Sequence, residues 1–185
     1  MVQRFGRAMA AQSDTPPFKD DVEVLNYALT LEHIEATFYA QAVEQFTAAD
    51  YEALGYQAGV ADYISRIADD EKAHVDTLTG VITDLKGTPV EAAKEYNFGY
   101  TDLASFLATA AVIEGVGVAA YTGAAQYLRD TDQLLTAALT IHGVEARHAA
   151  YLNVLTGASP FPAAVDAPMT PDEVLAAAGP FIVEQ

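Results

Sequence analysis

Four stretches of this chain carry apolar residues at spacings of three and four, and a carboxylate interrupts each one near its middle. That spacing places the residues on one face of an α-helix. The first face reads Leu25, Leu29, Glu32, Ala36, Tyr39, Val43, Phe46, and the second Ile64, Ile67, Glu71, His74, Leu78, Ile82, Leu85. The third reads Leu103, Leu107, Ala110, Glu114, Gly117, Tyr121, Ala124, Leu128, and the fourth Leu135, Ala138, His142, Glu145, His148, Leu152, Leu155. An uncompensated carboxylate in an apolar core costs on the order of several kcal/mol, or takes up a proton instead. The chain must therefore bring these four groups to something that offsets them. Its basic residues do not, since Arg66, Lys72 and Arg147 fall off these faces.

A pair of divalent cations does: four glutamates balance the four positive charges of two such ions. The spacing agrees. Residues three apart lie on one helix face about a turn apart. Glu71-x-x-His74 and Glu145-x-x-His148 can each offer a carboxylate and an imidazole to one metal pair, while Glu32 and Glu114 add one carboxylate each. This is the recurring ligand pattern of di-iron and di-manganese carboxylate bundles. A second regularity points the same way: Tyr39 follows Glu32 by seven residues and Tyr121 follows Glu114 by seven, so the chain reads as two helix pairs. Glu35, one turn after Glu32, can reach the same site or hydrogen-bond a ligating histidine. His142, one turn before Glu145, reads as a satisfied core histidine, with ligation or a bond to a ligand as alternatives. His33 lies off the face, and Tyr39 and Tyr121 read first as core. Gly115, Gly117 and Gly123 weaken the third helix and are read as packing positions, with space for a small ligand as the alternative.

The predicted architecture is all-α, an antiparallel four-helix bundle with one long crossover and a short C-terminal helix. Residues 1–19 read as a flexible arm, 20–156 as the bundle and 157–185 as a proline-rich tail. Asp20 with Glu23 predicts an N-cap for a helix to about Phe46. A second helix is expected from about Gln57 to Lys86 with Gly87 as its C′ residue. Residues 87–100 form the crossover, with room for a helical turn. Thr101 is expected to cap a helix to about Leu128, Asp130 and Thr131 to make a tight connection, and Gly157 to stop the last long helix. Thr170 is expected to cap a short helix from Pro171 to Ala178.

Against 9 Lys and Arg stand 26 Asp and Glu, a net charge of −17. That excludes nucleic acid and anionic membrane surfaces as partners, because both select basic surface. The surplus lies mostly outside the four core glutamates and is the composition expected of a halophilic protein, one at home in high salt. With no cysteine, disulfides, thiolate zinc sites and iron–sulfur clusters are excluded. No apolar run of membrane-spanning length is free of a charged or polar break, so no membrane insertion is expected. The first dozen residues lack the apolar stretch of an intact signal peptide. That leaves the compartment open between cytoplasmic and exported with the signal removed.

The segment from Leu25 to Tyr39, Leu-Asn-Tyr-Ala-Leu-Thr-Leu-Glu-His-Ile-Glu-Ala-Thr-Phe-Tyr, resembles the opening helix of the ferritin-like domain group that includes desiccation-related proteins. Pro160-Phe161-Pro162, the run Met169 to Leu175 and Pro180-Phe181 resemble its ending, so the resemblance covers roughly residues 20–182. It implies a ferritin-like bundle and a non-haem di-metal site on Glu32, Glu71, His74, Glu114, Glu145 and His148, and it suggests a role in stress. Oxygen-rich ligation with two imidazoles suits iron first and manganese second, with zinc also compatible. Two redox metals in a shielded core point to an oxidase or ferroxidase acting with O₂ or peroxide as the small substrate. Di-manganese, catalase-like disproportionation of peroxide and a non-catalytic structural or interaction bundle are the alternatives. A homodimer through helix faces is expected, and a closed iron-storage shell is not.

Overall fold

The computed structural model describes residues 17–129 and 132–184. Residues 1–16 of the expected 1–19 arm and the Asp130-Thr131 connection lie outside the described residues. Four long helices carry the chain: α1 (Asp21–Gln45), α3 (Val60–Asp84), α4 (Leu103–Ala124) and α5 (Asp132–Leu155). A short α2 (Ala48–Ala53) bridges the first pair, and α6 (Pro171–Ala178) closes the tail. The pairs α1 with α3 and α4 with α5 pack most extensively, and α1 meets α4 across the middle. This is the expected four-helix bundle with one long crossover.

Local chemistry sets the helix ends. The Asp20 carboxylate accepts from the Glu23 N–H at 3.0 Å, and Glu23 in turn accepts from the Lys19 N–H at 2.7 Å. Thr170 and Glu173 form a reciprocal capping box at the start of α6, as expected. Two expected caps move by one residue. The N-cap of α4 is Asp102 rather than Thr101, because Ser105 returns its hydroxyl to the Asp102 backbone N–H. The left-handed residue after α3 is Lys86, with φ of 63°, rather than Gly87. Lys86 N–H donates to the Thr83 carbonyl and Gly87 N–H to the Ile82 carbonyl, the two bonds of a Schellman motif. Gly87 serves packing instead, since a Cβ there would stand 2.6 Å from Val22 Cγ1. Helix α3 begins three residues later than expected, behind Gly59 at φ of 95°. Helix α4 gives way at Ala125–Tyr127 to a 3₁₀ turn instead of continuing to Leu128.

The crossover, read as a loop with room for a helical turn, contains a short strand instead. The two-residue β1 (Glu95–Tyr96) pairs antiparallel with β2 (Ile182–Glu184), with an irregularity in register between Glu95 and Tyr96. Asn97 N–H donates to the Phe181 carbonyl at 2.8 Å, extending the tie. Asn26 holds the start of the crossover, donating to the Thr88 carbonyl and accepting from the Val90 N–H. His33 is paired with the Val90 carbonyl at 3.0 Å, which settles its role as a loop anchor. Phe98 then packs edge-on to Phe38, which stacks on Phe106 at 4.9 Å.

Two apolar layers fill the bundle. One holds Phe38, Ile64, Phe106, Leu107 and Leu152, and the other Leu29, Leu78, Ile82, Leu134 and Ile141. Along α3 and α5 these layers lie on opposite sides of the mid-helix glutamate. Three expected face positions turn outward or are replaced: Val43 and Leu85 are exposed, and Leu134 rather than Leu135 is the buried leucine at the start of α5. Residues 103–127 are long and apolar enough, by length and composition alone, to cross a membrane. Half of that window is buried inside the bundle, and Glu114 near its middle is fully buried, which is the character of a core helix.

The tail is strapped to α4. Met169 N–H donates to the Ala119 carbonyl at 3.0 Å, and a Cβ on Gly123 would collide with the Met169 carbonyl oxygen. Among the described residues nothing lies within 4 Å of a Cβ on Gly115, so that glycine is not a packing position there. Gly123→Ala is expected to destabilise the protein by about 1–3 kcal/mol and to expose the tail to protease. Gly115→Ala is expected to stabilise it by about 0.5–1 kcal/mol. Thermal unfolding of the two variants checks the pair.

Candidate metal centre

The six residues expected from the sequence converge. Glu32, Glu71, Glu114 and Glu145 are fully buried, and His74 and His148 are each 7% exposed. Each helix contributes at the level where its apolar face is interrupted: Glu32 from α1, Glu71 and His74 from α3, Glu114 from α4, Glu145 and His148 from α5. Their ligand atoms form two overlapping quartets, each spanning no more than 4.8 Å. One contains Glu32, Glu71, His74 and Glu145; the other contains Glu71, Glu114, Glu145 and His148. Glu71 and Glu145 belong to both.

Both imidazoles present Nδ1 to the interior. His74 Nδ1 lies 3.0 Å from Glu71, 3.1 Å from Glu145 and 3.2 Å from Glu32. His148 Nδ1 lies 2.8 Å from Glu71 Oε1, yet neither atom makes a hydrogen bond. Glu114 Oε2 and both oxygens of Glu145 are likewise buried without hydrogen-bond partners among the described residues. Buried polar atoms are normally paired. Here five acceptor-capable atoms from four ligand residues share one enclosed layer, and a cation is the partner that satisfies them together. The donor set of carboxylate oxygens and imidazole nitrogens fits a divalent metal on this ground.

The remaining oxygens are held from the protein side. Tyr121 donates to Glu32 Oε1 at 2.5 Å and Tyr39 to Glu114 Oε1 at 2.6 Å. The repeat seen in the sequence thus closes crosswise, each tyrosine reaching the glutamate of the other helix. His142 does not join the site; its Nε2 pairs with Thr122 Oγ1 at 3.0 Å. Glu35 is buried with the cluster, at 2% exposure, but it falls in neither quartet and makes no hydrogen bond to a ligand histidine. One residue went unmarked in the sequence. Asp70 Oδ2 stands 3.5 Å from His148 Nε2, and Asp70 also pairs with Arg66 at 3.2 Å. Its signal was hidden in the acidic run Asp69-Asp70-Glu71, which reads as a solvated face with one inward glutamate.

Where no metal is bound, protons would take over the compensation. Burial, reinforced by neighbouring carboxylates, holds Glu35 and Glu145 well above the ordinary carboxylate range. Burial also raises Glu114, and it raises Glu32 to about 7. Glu71 moves down to about 2, because His148 and His74 on its two sides outweigh its burial. Burial opposes protonation of the histidines, but Glu145, Glu32 and Glu71 raise His74 to about 12, and Glu114 and Glu71 raise His148 to about 10.

A group whose pKa is higher folded than unfolded binds more protons in the folded state, so stability falls as pH rises through that interval. For Glu32 the interval runs from its ordinary 4.5 to about 7, and for His74 from 6.5 to about 12. Glu71 works in the opposite sense, but only between about 2 and 4.5. The metal-free protein is therefore expected to lose thermal stability steadily from about pH 5 to about pH 9. Glu145→Gln, which mimics the protonated carboxyl, is expected to flatten that fall. Melting curves in matched buffers check this, and equal slopes for the two proteins would contradict it.

Comparison with known proteins agrees with this fold. The protein rds1 of Schizosaccharomyces pombe is 25% identical over 170 residues, which is 90% of this chain and 40% of that protein. The chain thus spans about two-fifths of that relative's length. A conserved hypothetical protein of Mycobacterium tuberculosis superposes with a TM-score of 0.61 at 21% identity, over 77% of this chain and 94% of the other, and so shares the fold. The family model described as a ferritin-like domain matches residues 20–158, which include all four long helices and all six clustered side chains, and the chain belongs to that family.

Proposed function

We propose that the protein is a non-haem di-metal carboxylate protein that holds two divalent ions, iron in preference to manganese or zinc. The ligands would be Glu32, Glu71, His74, Glu114, Glu145 and His148. Its reaction would be of the oxidase or ferroxidase kind with O₂ or peroxide. The observation that carries this is the pair of overlapping quartets sharing Glu71 and Glu145 in a fully buried layer. Four carboxylates match two divalent charges, and two imidazoles select against calcium, whose protein sites are built from oxygen. Bound iron or manganese would supply one-electron chemistry with O₂ species.

The chain's own residues shape that site. Tyr39 and Tyr121 each occupy one oxygen of Glu114 and Glu32 and leave the other oxygen to face inward. Asp70 would steady the His148 ring from outside, as carboxylates commonly do for metal-bound histidine. The apolar layers above and below keep bulk water away, which strengthens every electrostatic contact within. They also shield reactive intermediates from the outside.

The test is metal content and oxygen chemistry on one preparation. After anaerobic loading without a His tag, the protein is expected to hold about two Fe per chain and to consume O₂ as Fe²⁺ is oxidised. Glu71→Ala and His148→Ala are expected to lose metal while keeping helical circular dichroism. Asp70→Asn is expected to weaken retention by about tenfold against a chelator. Oxygen release from peroxide by the manganese-loaded protein would assign disproportionation instead. Absence of bound metal after loading, with variants as stable as the parent, would reject the di-metal function.

A further inference from the structure

Glu35 has a neighbourhood of its own. It forms one wall of a small cavity of about 20 Å³ between α1, α4 and the end of α6. The other walls include Ile113, Val116, Gly117, Ala177 and Phe181, all without polar side chains. The volume is just above the ~10–15 Å³ that one water-sized molecule requires. A groove of about 200 Å³ beneath α6 adjoins it, lined by Tyr27, Thr30, Pro171 and Leu175 and sharing Leu31, Ile34 and Ala178 with the cavity.

Gly117 is the partition between this cavity and the carboxylate layer. A Cβ on Gly117 would stand 2.9 Å from Glu35 Oε1 and 3.0 Å from Glu145 Oε2. Any side chain there would wedge between the two carboxyl groups, so the glycine leaves a window. The two helix pairs differ at this point: three residues after Glu32 comes Glu35, whereas three residues after Glu114 comes Gly117. Glu35 Oε2 is buried with no hydrogen-bond partner among the described residues. The roof of the cavity, Ala177, Ala178 and Phe181, lies outside the stretch that matches the family.

We infer that this cavity is a binding site for a small uncharged, hydrogen-bonding molecule of the size of hydrogen peroxide, held by Glu35 at the Gly117 window beside the proposed metal centre. The inference rests on the di-metal reading for what lies beyond the window. Charge is excluded from the occupant because an ion would lose its hydration against apolar walls. Size is limited by the cavity, and the hydrogen bond is demanded by Glu35. The α6 roof makes the tail part of the site: entry from the outer groove passes beneath Ala178, and β2 pairing with β1 holds the adjoining Phe181 in place.

The full chain loaded with Fe²⁺ under anaerobic conditions tests this, with xenon as a chemically inert probe of the cavity. Ala177→Leu adds bulk from an exposed roof position, and Glu35→Leu removes the hydrogen bond while Glu35→Gln keeps one. In crystals under xenon pressure the parent is expected to show a peak beside Glu35 that Ala177→Leu abolishes. With metal content unchanged, Ala177→Leu and Glu35→Leu are expected to slow oxidation by hydrogen peroxide by about tenfold or more. Glu35→Gln is expected to stay near the parent. Oxidation by ferricyanide, an anion too large to enter, should be unchanged in all of them. Peroxide rates equal to the parent in fully loaded Ala177→Leu and Glu35→Leu would overturn the inference. If the parent holds no metal, the di-metal reading fails on its own, and the cavity stands or falls on the xenon peak.

Discussion

Four carboxylates fully buried at one level of a helical bundle are the constraint on which the rest of this structure depends. Apolar burial alone would drive the helices together in many registers. The cost of an uncompensated buried charge removes nearly all of them. Only an arrangement that brings Glu32, Glu71, Glu114 and Glu145 to the same height, with His74 and His148 between them, lets these groups compensate one another. The polar layer thus sets the register of α1 against α3 and of α4 against α5. The apolar layers on either side supply the stability.

The two helix pairs repeat, and the departures from the repeat carry the specific chemistry. Tyr39 and Tyr121 exchange partners across the bundle, so each half of the site is oriented by the other. Asp70 precedes Glu71 and faces His148, while Val144 precedes the corresponding Glu145 and offers no polar group. One histidine therefore has a carboxylate behind it from the partner pair. Glu35 and Gly117 occupy equivalent places in the two halves and face each other, one filling the space the other leaves. These differences make the two halves of the clustered layer chemically inequivalent.

The site was legible in the sequence because polar groups on an otherwise apolar face are costly enough to need a reason, and the Glu-x-x-His spacing names one. The caps at Asp20 and Thr170 were legible because each pairs with an acid three residues on. Thr101 and Gly87 were each one residue out, because adjacent residues compete for the same backbone groups. Ser105 decides for Asp102, and contact with Val22 places Gly87 beyond the turn. The strands β1 and β2 left no pattern, being two and three residues long and dependent on a partner far along the chain. Asp70 was hidden in a run of acids. The crossed tyrosines and the Glu35 cavity arise only when α1 and α4 face each other.

Anomalous diffraction at the iron edge, from crystals of the iron-loaded full chain, tests the central claim most directly. The account predicts two peaks per chain, one among Glu32, Glu71, His74 and Glu145 and the other among Glu71, Glu114, Glu145 and His148. A core without anomalous density, its carboxyl groups still paired with His74 and His148, would contradict it and leave the buried layer as a protonated hydrogen-bond network.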